Sequence, residues 1–88
     1  MKPKSKKQIA KDRRWLFIKF RRMAYLEEVY GYVPCEYCRR NVQSHIIMRI
    51  DGHHIDRDRS NNTPENCAIV IGECHDKVTL ENIEVARL

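Results

Sequence analysis

The first third of the chain carries apolar residues at helical spacing. Ser5, followed three residues later by Gln8, has the form of a helix capping box. No Gly or Pro interrupts the chain from there to Tyr30, and Gly31 is the residue type that commonly ends helices. The pattern therefore predicts a helix over about residues 6–30.

The predicted helix is amphipathic, with one irregularity. Ile18 and Tyr25 fall on the far face, among the basic residues, so the separation of apolar and polar faces is incomplete. The face expected to pack against the core carries Ile9, Leu16, Phe20 and Met23, flanked by Trp15, Phe17 and Leu26.

The second half alternates short apolar runs with polar, turn-forming segments. Its predicted elements, in order, are a strand over 44–50, a turn or bulge at Asp51-Gly52, a polar loop over 56–65, a strand over Cys67–Ile71 and a helix over about 73–79. The chain is therefore predicted to be α+β, with a basic tail and helix in residues 1–34 and the core in residues 35–88.

The length of 88 residues suits one domain with a small core. A core of this size usually needs a metal, a disulfide or oligomerisation as reinforcement. Apolar runs such as Cys67–Ile71 are far shorter than the ~20 residues of a membrane helix, and the charged N-terminus lacks a secretory signal. We therefore expect no membrane association and a reducing, cytoplasmic compartment, which disfavours disulfides.

Charge is distributed unevenly along the chain. Residues 1–22 carry a net charge of +9 and residues 23–88 a net charge of −4, which together give the overall +5. A basic arm on an acidic body favours a nucleic-acid partner, the alternative being a solubilising tail. The arm residues expected to contact DNA phosphates, on the side opposite the predicted buried face, are Lys11, Arg14 and Arg21.

Four cysteines and three of the histidines suggest metal chemistry. Cys35 and Cys38 form a C-x2-C knuckle, which suits zinc or a redox motif, although the βαβ surroundings of the redox motif are not evident. His53 and His54 are adjacent, so on an extended strand they point in opposite directions and can perform two different tasks. A hairpin packed on a helix can bring His53 close to His75.

Residues 35–79 resemble the HNH, or ββα-metal, nuclease family. The resemblance lies in the knuckle and in three later segments, which are Asp51-Gly52-His53-His54-Ile55-Asp56, Asn61-Asn62-Thr63-Pro64-Glu65-Asn66 and Cys74-His75. The resemblance implies a ββα-metal core that binds one divalent cation (Mg²⁺, Mn²⁺, Ni²⁺ or Zn²⁺). It also implies that the protein hydrolyses DNA phosphodiester bonds and leaves 5′-phosphate and 3′-hydroxyl ends. It also suggests a bacterial or phage-infected host cell.

The resemblance assigns a role to each matching residue. His54 matches the general base that activates water, and Asn66 matches the residue that pins the loop and helps to orient that base. His53 and His75 match metal ligands. Arg57 and Arg59, in the loop beside them, are expected to contact phosphates, and Asn62 is expected only to cap the loop.

The chain departs from the family pattern at two positions. Thr79 stands where some members have a further ligand, and Ile71 stands where zinc-containing members have a cysteine that joins Cys35, Cys38 and Cys74. Three alternatives are open: Cys67 completes a distorted zinc site, His45 does so, or the structural zinc is absent.

The sequence therefore predicts a metal-dependent DNA endonuclease. A different class of protein, a non-catalytic zinc-knuckle module that binds nucleic acid, is the main alternative, and an adaptor that binds a protein through its helix is a third. A dimer is left open, because dimerisation decides between nicking and double-strand cleavage.

Overall fold

The computed structural model describes residue 3, residues 5–43 and residues 49–88. The fold is α+β and consists of a long helix, a two-stranded antiparallel sheet and a second helix. In chain order, the elements are α1 (Lys6–Tyr30), β1 (Ile50–His54), a short 3-10 helix (Pro64–Asn66), β2 (Cys67–Ile71) and α2 (Gly72–Leu80).

Both ends of α1 lie where the sequence predicts them. The Ser5 hydroxyl accepts a hydrogen bond from the Gln8 backbone N–H at 3.1 Å, which satisfies one of the unpaired donors of the first turn. Gly31 has a φ of 80°, and its N–H donates to the Glu27 carbonyl. Glycine adopts this left-handed conformation without strain. No helix in the described part of the chain is both long and apolar enough to cross a bilayer.

The sheet confirms one predicted strand and corrects the other. β2 has the predicted bounds and is buried along its whole length. β1 begins at Ile50 and pairs Asp51 with Val70 and Gly52 with Ile69. The prediction of a turn at these two residues is therefore wrong, because the ladder continues through them to His54. The rest of the predicted first strand, Ser44–Met48, lies outside the described residues.

The buried face of α1 differs from the predicted one. Ile18 is only 6% exposed and lies in the core, whereas Leu16 and Phe20 are 47% and 55% exposed. The helix is rotated because two side chains next to the core find polar partners there. Trp15 donates to the Gly52 carbonyl, and Arg22 pairs with a buried carboxylate. The spacing of apolar residues along the helix does not reveal such hydrogen bonds.

The carboxylate that pairs with Arg22 belongs to Glu36, in the middle of the cysteine knuckle. Glu36 is 1% exposed and accepts hydrogen bonds from Arg22 and from the backbone N–H groups of Ile69 and Leu88. Its own N–H donates to the Ile69 carbonyl. Glu36 thus ties α1, the knuckle, the outer edge of β2 and the end of the chain together. A buried charge requires such complete pairing.

Helix α2 lies within one residue of its predicted bounds at each end. After it, the chain continues without regular structure, and Val85 packs with Ala68 and Val78 in a small second cluster. The main cluster contains Ile18 and Leu26 of α1. The long helix therefore shares one core with the rest of the chain.

Candidate functional site

Two imidazoles meet between β1 and α2. His53 points from β1 towards α2, where its ring lies 5.2 Å from the ring of His75, with the two planes at 70°. The sequence predicts this meeting. The rings line a cavity of about 270 Å³, whose other walls are formed by Gly52, His54, Arg57, Arg59 and Thr79.

The side chain of His53 is suited to hold a cation. It is 4% exposed, and its Nε2 atom has no hydrogen-bond partner among the described residues. Burial, helped by the nearby His75, Arg57 and His54, lowers the pKa of His53 to about 4. Near neutral pH its ring is therefore uncharged and offers a nitrogen lone pair, which is the form that binds metals.

His75 is oriented by a carboxylate that the sequence analysis did not assign. Nδ1 of His75 lies 2.9 Å from Oδ2 of Asp51, so Nε2 is left for another partner. A carboxylate behind the imidazole is common at metal centres, where it fixes the ring and raises its basicity. Asp51 and His53 are two residues apart on β1 and share one face of the strand, which is the signal that could have identified Asp51.

His54 lies on the opposite face of β1, against α1. The rings of Trp15 and His54 are stacked, with centroids 3.7 Å apart and planes within 10°. The indole Nε1 donates to the Gly52 carbonyl at 3.1 Å, and a Cβ atom at residue 52 would lie only 3.2 Å from that nitrogen. Glycine at this position therefore lets α1 approach the strand.

The other contact of His54 is with Asn62. His54 Nε2 and Asn62 Oδ1 are 2.9 Å apart. Because an amide oxygen only accepts, this arrangement places the ring proton on Nε2 and leaves Nδ1 as the basic nitrogen. The Asn62 carbonyl accepts from Arg14, and its amide nitrogen lies 3.5 Å from the Lys11 carbonyl. Asn62 thus links α1 to His54, and the prediction that it only caps the loop is wrong.

Asn66 pins the loop, as the resemblance implies. Its side-chain oxygen accepts from the Asp56 backbone N–H at 2.9 Å, and its side-chain nitrogen donates to the Asp56 carboxylate and to the Asn61 carbonyl. The Asn66 carbonyl accepts from Ile55. These bonds hold both ends of the loop that carries Asn62, so Asn66 acts on His54 indirectly.

The basic residues expected to contact DNA lie in three different settings. Lys11 and Arg59 face a second cavity, of about 450 Å³, which His54 and Trp15 also line. Arg57 donates from Nη2 to the carbonyl of Val78, in the last turn of α2, and to the carbonyl of Ile83, after the helix, so its position is structural.

Arg21, by contrast, lies beside the exposed ring of Phe17, at 5.7 Å from its centroid. Within the predicted set, Lys11 and Arg59 are therefore the two that line the second cavity together with His54.

Three cysteines form a second cluster. The sulfur atoms of Cys35, Cys38 and Cys74 all lie within 4.8 Å of one another, which is close enough for one metal ion. The knuckle directs donors at its sulfurs, since the Cys38 N–H points at Cys35 Sγ and the Arg40 side chain points at Cys38 Sγ. Such donors favour the thiolate form that binds zinc.

The thiols influence one another strongly. Burial raises the pKa of Cys38, but hydrogen bonds from the backbone and side chain of Arg40 outweigh it and lower that pKa to about 7. Burial and the neighbouring Cys38 and Cys35 raise the pKa of Cys74 to about 12. Without a cation, therefore, the three thiols do not all ionise at neutral pH, whereas a bound metal would favour deprotonation of all three.

Cys67 does not join this cluster, so its assignment to the zinc site is wrong. It is fully buried in β2, paired with His54 in the ladder, and burial raises its pKa to about 11. Among the described residues, no fourth Cys, His, Asp or Glu completes the group, and Ile71 is buried in the core. His45, the other candidate, lies outside the described residues.

Comparisons with protein-family models, curated proteins and solved structures found no match to this chain. The geometry of the two clusters is therefore the basis on which a function is proposed.

Proposed function

We propose that the chain is a metal-dependent DNA endonuclease of the HNH type. The observation that carries the proposal is the convergence of His53 and His75 on a cavity that His54 also lines, with a basic nitrogen of His54 not used by Asn62. The hairpin of β1 and β2 followed by α2 supports a ββα-metal core. A purely structural cluster of ionisable side chains would also bring charged groups together. Such a cluster would not leave a buried imidazole nitrogen without a hydrogen-bond partner, as Nε2 of His53 is left among the described residues.

His53 and His75 are the residues that would hold the divalent cation. The fit rests on the unpaired Nε2 of His53 and on Asp51, which occupies Nδ1 of His75. When bound, such a cation stabilises the negative charge that develops on the phosphate and on the leaving oxygen. Two protein ligands leave most of the coordination sphere to water and substrate oxygens, which suits catalysis more than a structural site.

In the proposed reaction His54 is the general base. Its Nδ1 takes a proton from a water molecule whose oxygen attacks phosphorus, the bond from phosphorus to the 3′-oxygen breaks, and that oxygen leaves with a proton from solvent. Trp15 and Asn62 hold the imidazole in place during this transfer. A positioned base typically contributes ~10²–10⁴-fold to the rate.

Lys11 and Arg59 are proposed to bind the DNA backbone on either side of His54. They line the second cavity together with His54, Lys11 from α1 and Arg59 from the loop. Phosphate contacts of this kind fix the register of the duplex without reading its sequence. We therefore propose DNA, with little sequence preference, as the substrate.

Cys35, Cys38 and Cys74 are proposed to hold a structural zinc ion. The cluster joins the knuckle to the first turn of α2, one residue before His75. It would therefore fix the start of the helix that carries His75.

The second candidate is a non-catalytic zinc-knuckle module that binds nucleic acid. Two observations favour it: the thiol cluster is independent of the imidazoles, and Thr79, which also lines the cavity, offers a poor metal ligand. This protein would bind DNA but not cleave it.

The experiment that tests the proposed function is cleavage of supercoiled plasmid with Mg²⁺, Mn²⁺ or Ni²⁺, and with EDTA. We expect cleavage only with metal and a loss of about 10²–10⁴-fold in His54→Ala. Lys77→Ala, an exposed change on α2, is the matched control and should behave as the parent. Cleavage by His54→Ala at the parental rate contradicts the assignment, and DNA binding without any cleavage supports the second candidate.

A further inference from the structure

Helix α1 carries an apolar stripe on the side that faces away from the sheet. Leu16, Phe17 and Phe20 are 47%, 62% and 55% exposed, and Ile9, two turns earlier, is 38% exposed. Contiguous exposed apolar groups of this size commonly mark an interaction surface. Phe20, at the centre of the stripe, lies about 140° around the helix from Trp15, whereas Leu16, at its edge, also lines a cavity with Asp51, Gly52 and His75.

Charge along α1 is divided between its two halves. Residues 6–22 carry eight Lys or Arg and one acid, whereas residues 23–30 carry Glu27 and Glu28 and no base. With 3.6 residues per turn, Arg13 and Glu27 fall on the same line of the helix as Phe20. Both are exposed, and neither forms an ion pair with another described side chain.

We propose that this stripe pairs two copies of the chain through an antiparallel contact between their α1 helices. In the register that centres the twofold axis on Phe20, each Phe20 meets the partner's Phe20. Leu16 then lies opposite the partner's small Ala24, and Arg13 lies opposite the partner's Glu27. A twofold interface of this kind is self-complementary, as isologous dimers require.

The charge pattern favours a second copy of the chain as the partner and an antiparallel arrangement of the two α1 helices. A parallel pair would place two basic halves side by side, which like-charge repulsion opposes. The antiparallel pair places each basic half beside the acidic end of the other helix. Arg13 and Glu27 are fourteen residues apart, about 21 Å along one helix, so they can meet only between two copies.

The expected dimer is of moderate strength. From Ile9 to Glu27 the seam is about 27 Å long at 1.5 Å per residue. The surface area that a single pair of helices of this length buries lies at the low end of the range for specific interfaces. We therefore expect dissociation in the micromolar range. The seam leaves His54 and the two cavities open in both copies.

The test is the mass of the full chain, measured without DNA by sedimentation velocity over a micromolar concentration series. The parent should dimerise, Phe20→Glu should be monomeric, and Arg13→Glu or Glu27→Arg should each weaken the dimer about 10-fold, since each reverses two symmetric contacts. The double variant with both reversals should return to near-parental affinity. Lys77→Glu, the same charge change on the exposed face of α2 and away from the stripe, is the matched control and should leave the dimer unchanged.

A parent that is monomeric at every concentration overturns the proposal. So does a double variant that is no stronger than the single ones, or a Lys77→Glu variant that dissociates as far as Arg13→Glu. Circular dichroism of each variant shows whether α1 is retained. Because the readout is mass, this result is independent of whether the chain cleaves DNA.

Discussion

Two clusters of ligand-type residues share the start of α2 but differ in almost every other respect. Cys74 and His75 are neighbours, and because successive helical residues point about 100° apart, one faces the knuckle and the other faces β1. The thiols of the first cluster are largely buried, whereas the imidazoles of the second line a cavity. One helix start can thus contribute to two clusters, one largely buried and one that lines a cavity.

The difference matches the two kinds of metal centre found in proteins. Structural centres surround the ion with protein ligands, whereas catalytic centres leave positions open for water and substrate. Three converging thiols supply three of the four ligands that the first kind requires. Two imidazoles, one of them braced by Asp51, fit the second. Substitutions in the thiol cluster should therefore change the stability of the fold, whereas substitutions in the imidazole cluster should change the metal-dependent chemistry.

The largest expected effect is on stability, from the thiol cluster. With zinc at about 1,000 times its dissociation constant, binding stabilises the fold by about 4 kcal/mol, so Cys35→Ser should lower the unfolding midpoint sharply. Thermal melts with zinc and with a chelator measure this. The parent should lose stability in chelator and the variant should be insensitive to it, whereas His75→Ala, the control, should keep a zinc-dependent midpoint. A parent melt that chelator leaves unchanged would place no zinc at the thiols.

The next effect is on binding of the catalytic cation. His75→Ala removes one of two proposed protein ligands and should weaken Mn²⁺ or Ni²⁺ binding by at least about 10²-fold, the upper end of the loss that follows removal of a group behind a ligand. Calorimetric titration compares it with Thr79→Ala, which changes the same cavity without removing a ligand. Equal affinities in parent and His75→Ala would locate the cation elsewhere.

A smaller effect is expected from the stacking of Trp15 on His54. Trp15→Ala removes the ring that holds the imidazole and should lower kcat about 10-fold with little change in KM, because a misplaced base slows chemistry without weakening binding. Trp15→Phe keeps a stacking ring and should recover most of the rate. If both variants change KM and not kcat, Trp15 contacts substrate and does not position His54.

The smallest expected effect distinguishes two basic residues at different positions along α1. Lys11→Ala should flatten the dependence of log affinity on log salt by about 0.9, the value of one lost phosphate contact on duplex DNA. Arg21→Ala, about 15 Å further along the helix and outside the cavity that Lys11 and His54 line, should leave the slope unchanged. Binding titrations at several salt concentrations decide this, and equal slopes for both variants would mean that the arm acts through its net charge alone.

The local elements could be predicted because their signals are local. Ser5, Gly31 and the uninterrupted run between them define α1, and the five-residue apolar run Cys67–Ile71 defines β2. The meeting of His53 with His75 followed from strand alternation and hairpin packing. Asp51 was within reach of the same reasoning, but a turn was expected there.

The rotation of α1 could not be predicted from its own spacing. Leu16 and Phe20 have the apolar character of a buried face, yet the helix packs through Trp15, Ile18 and Arg22. Arg22 looked like one basic residue among ten in the arm. Its structural role depends on Glu36, fourteen residues later, and no local pattern identifies that partner.

The sequence by itself determined the types of the elements, the knuckle and the candidate histidines, because capping, apolar runs and residue spacing act over a few residues. Only the tertiary structure decided that Cys67 stays apart from the other thiols, that Arg57 braces the chain around α2, and that Asn62 reaches His54. These outcomes depend on how α1, the loop and the sheet pack together. Contacts over such separations are selected by the shape and hydrogen bonding of the whole core, which no single segment contains.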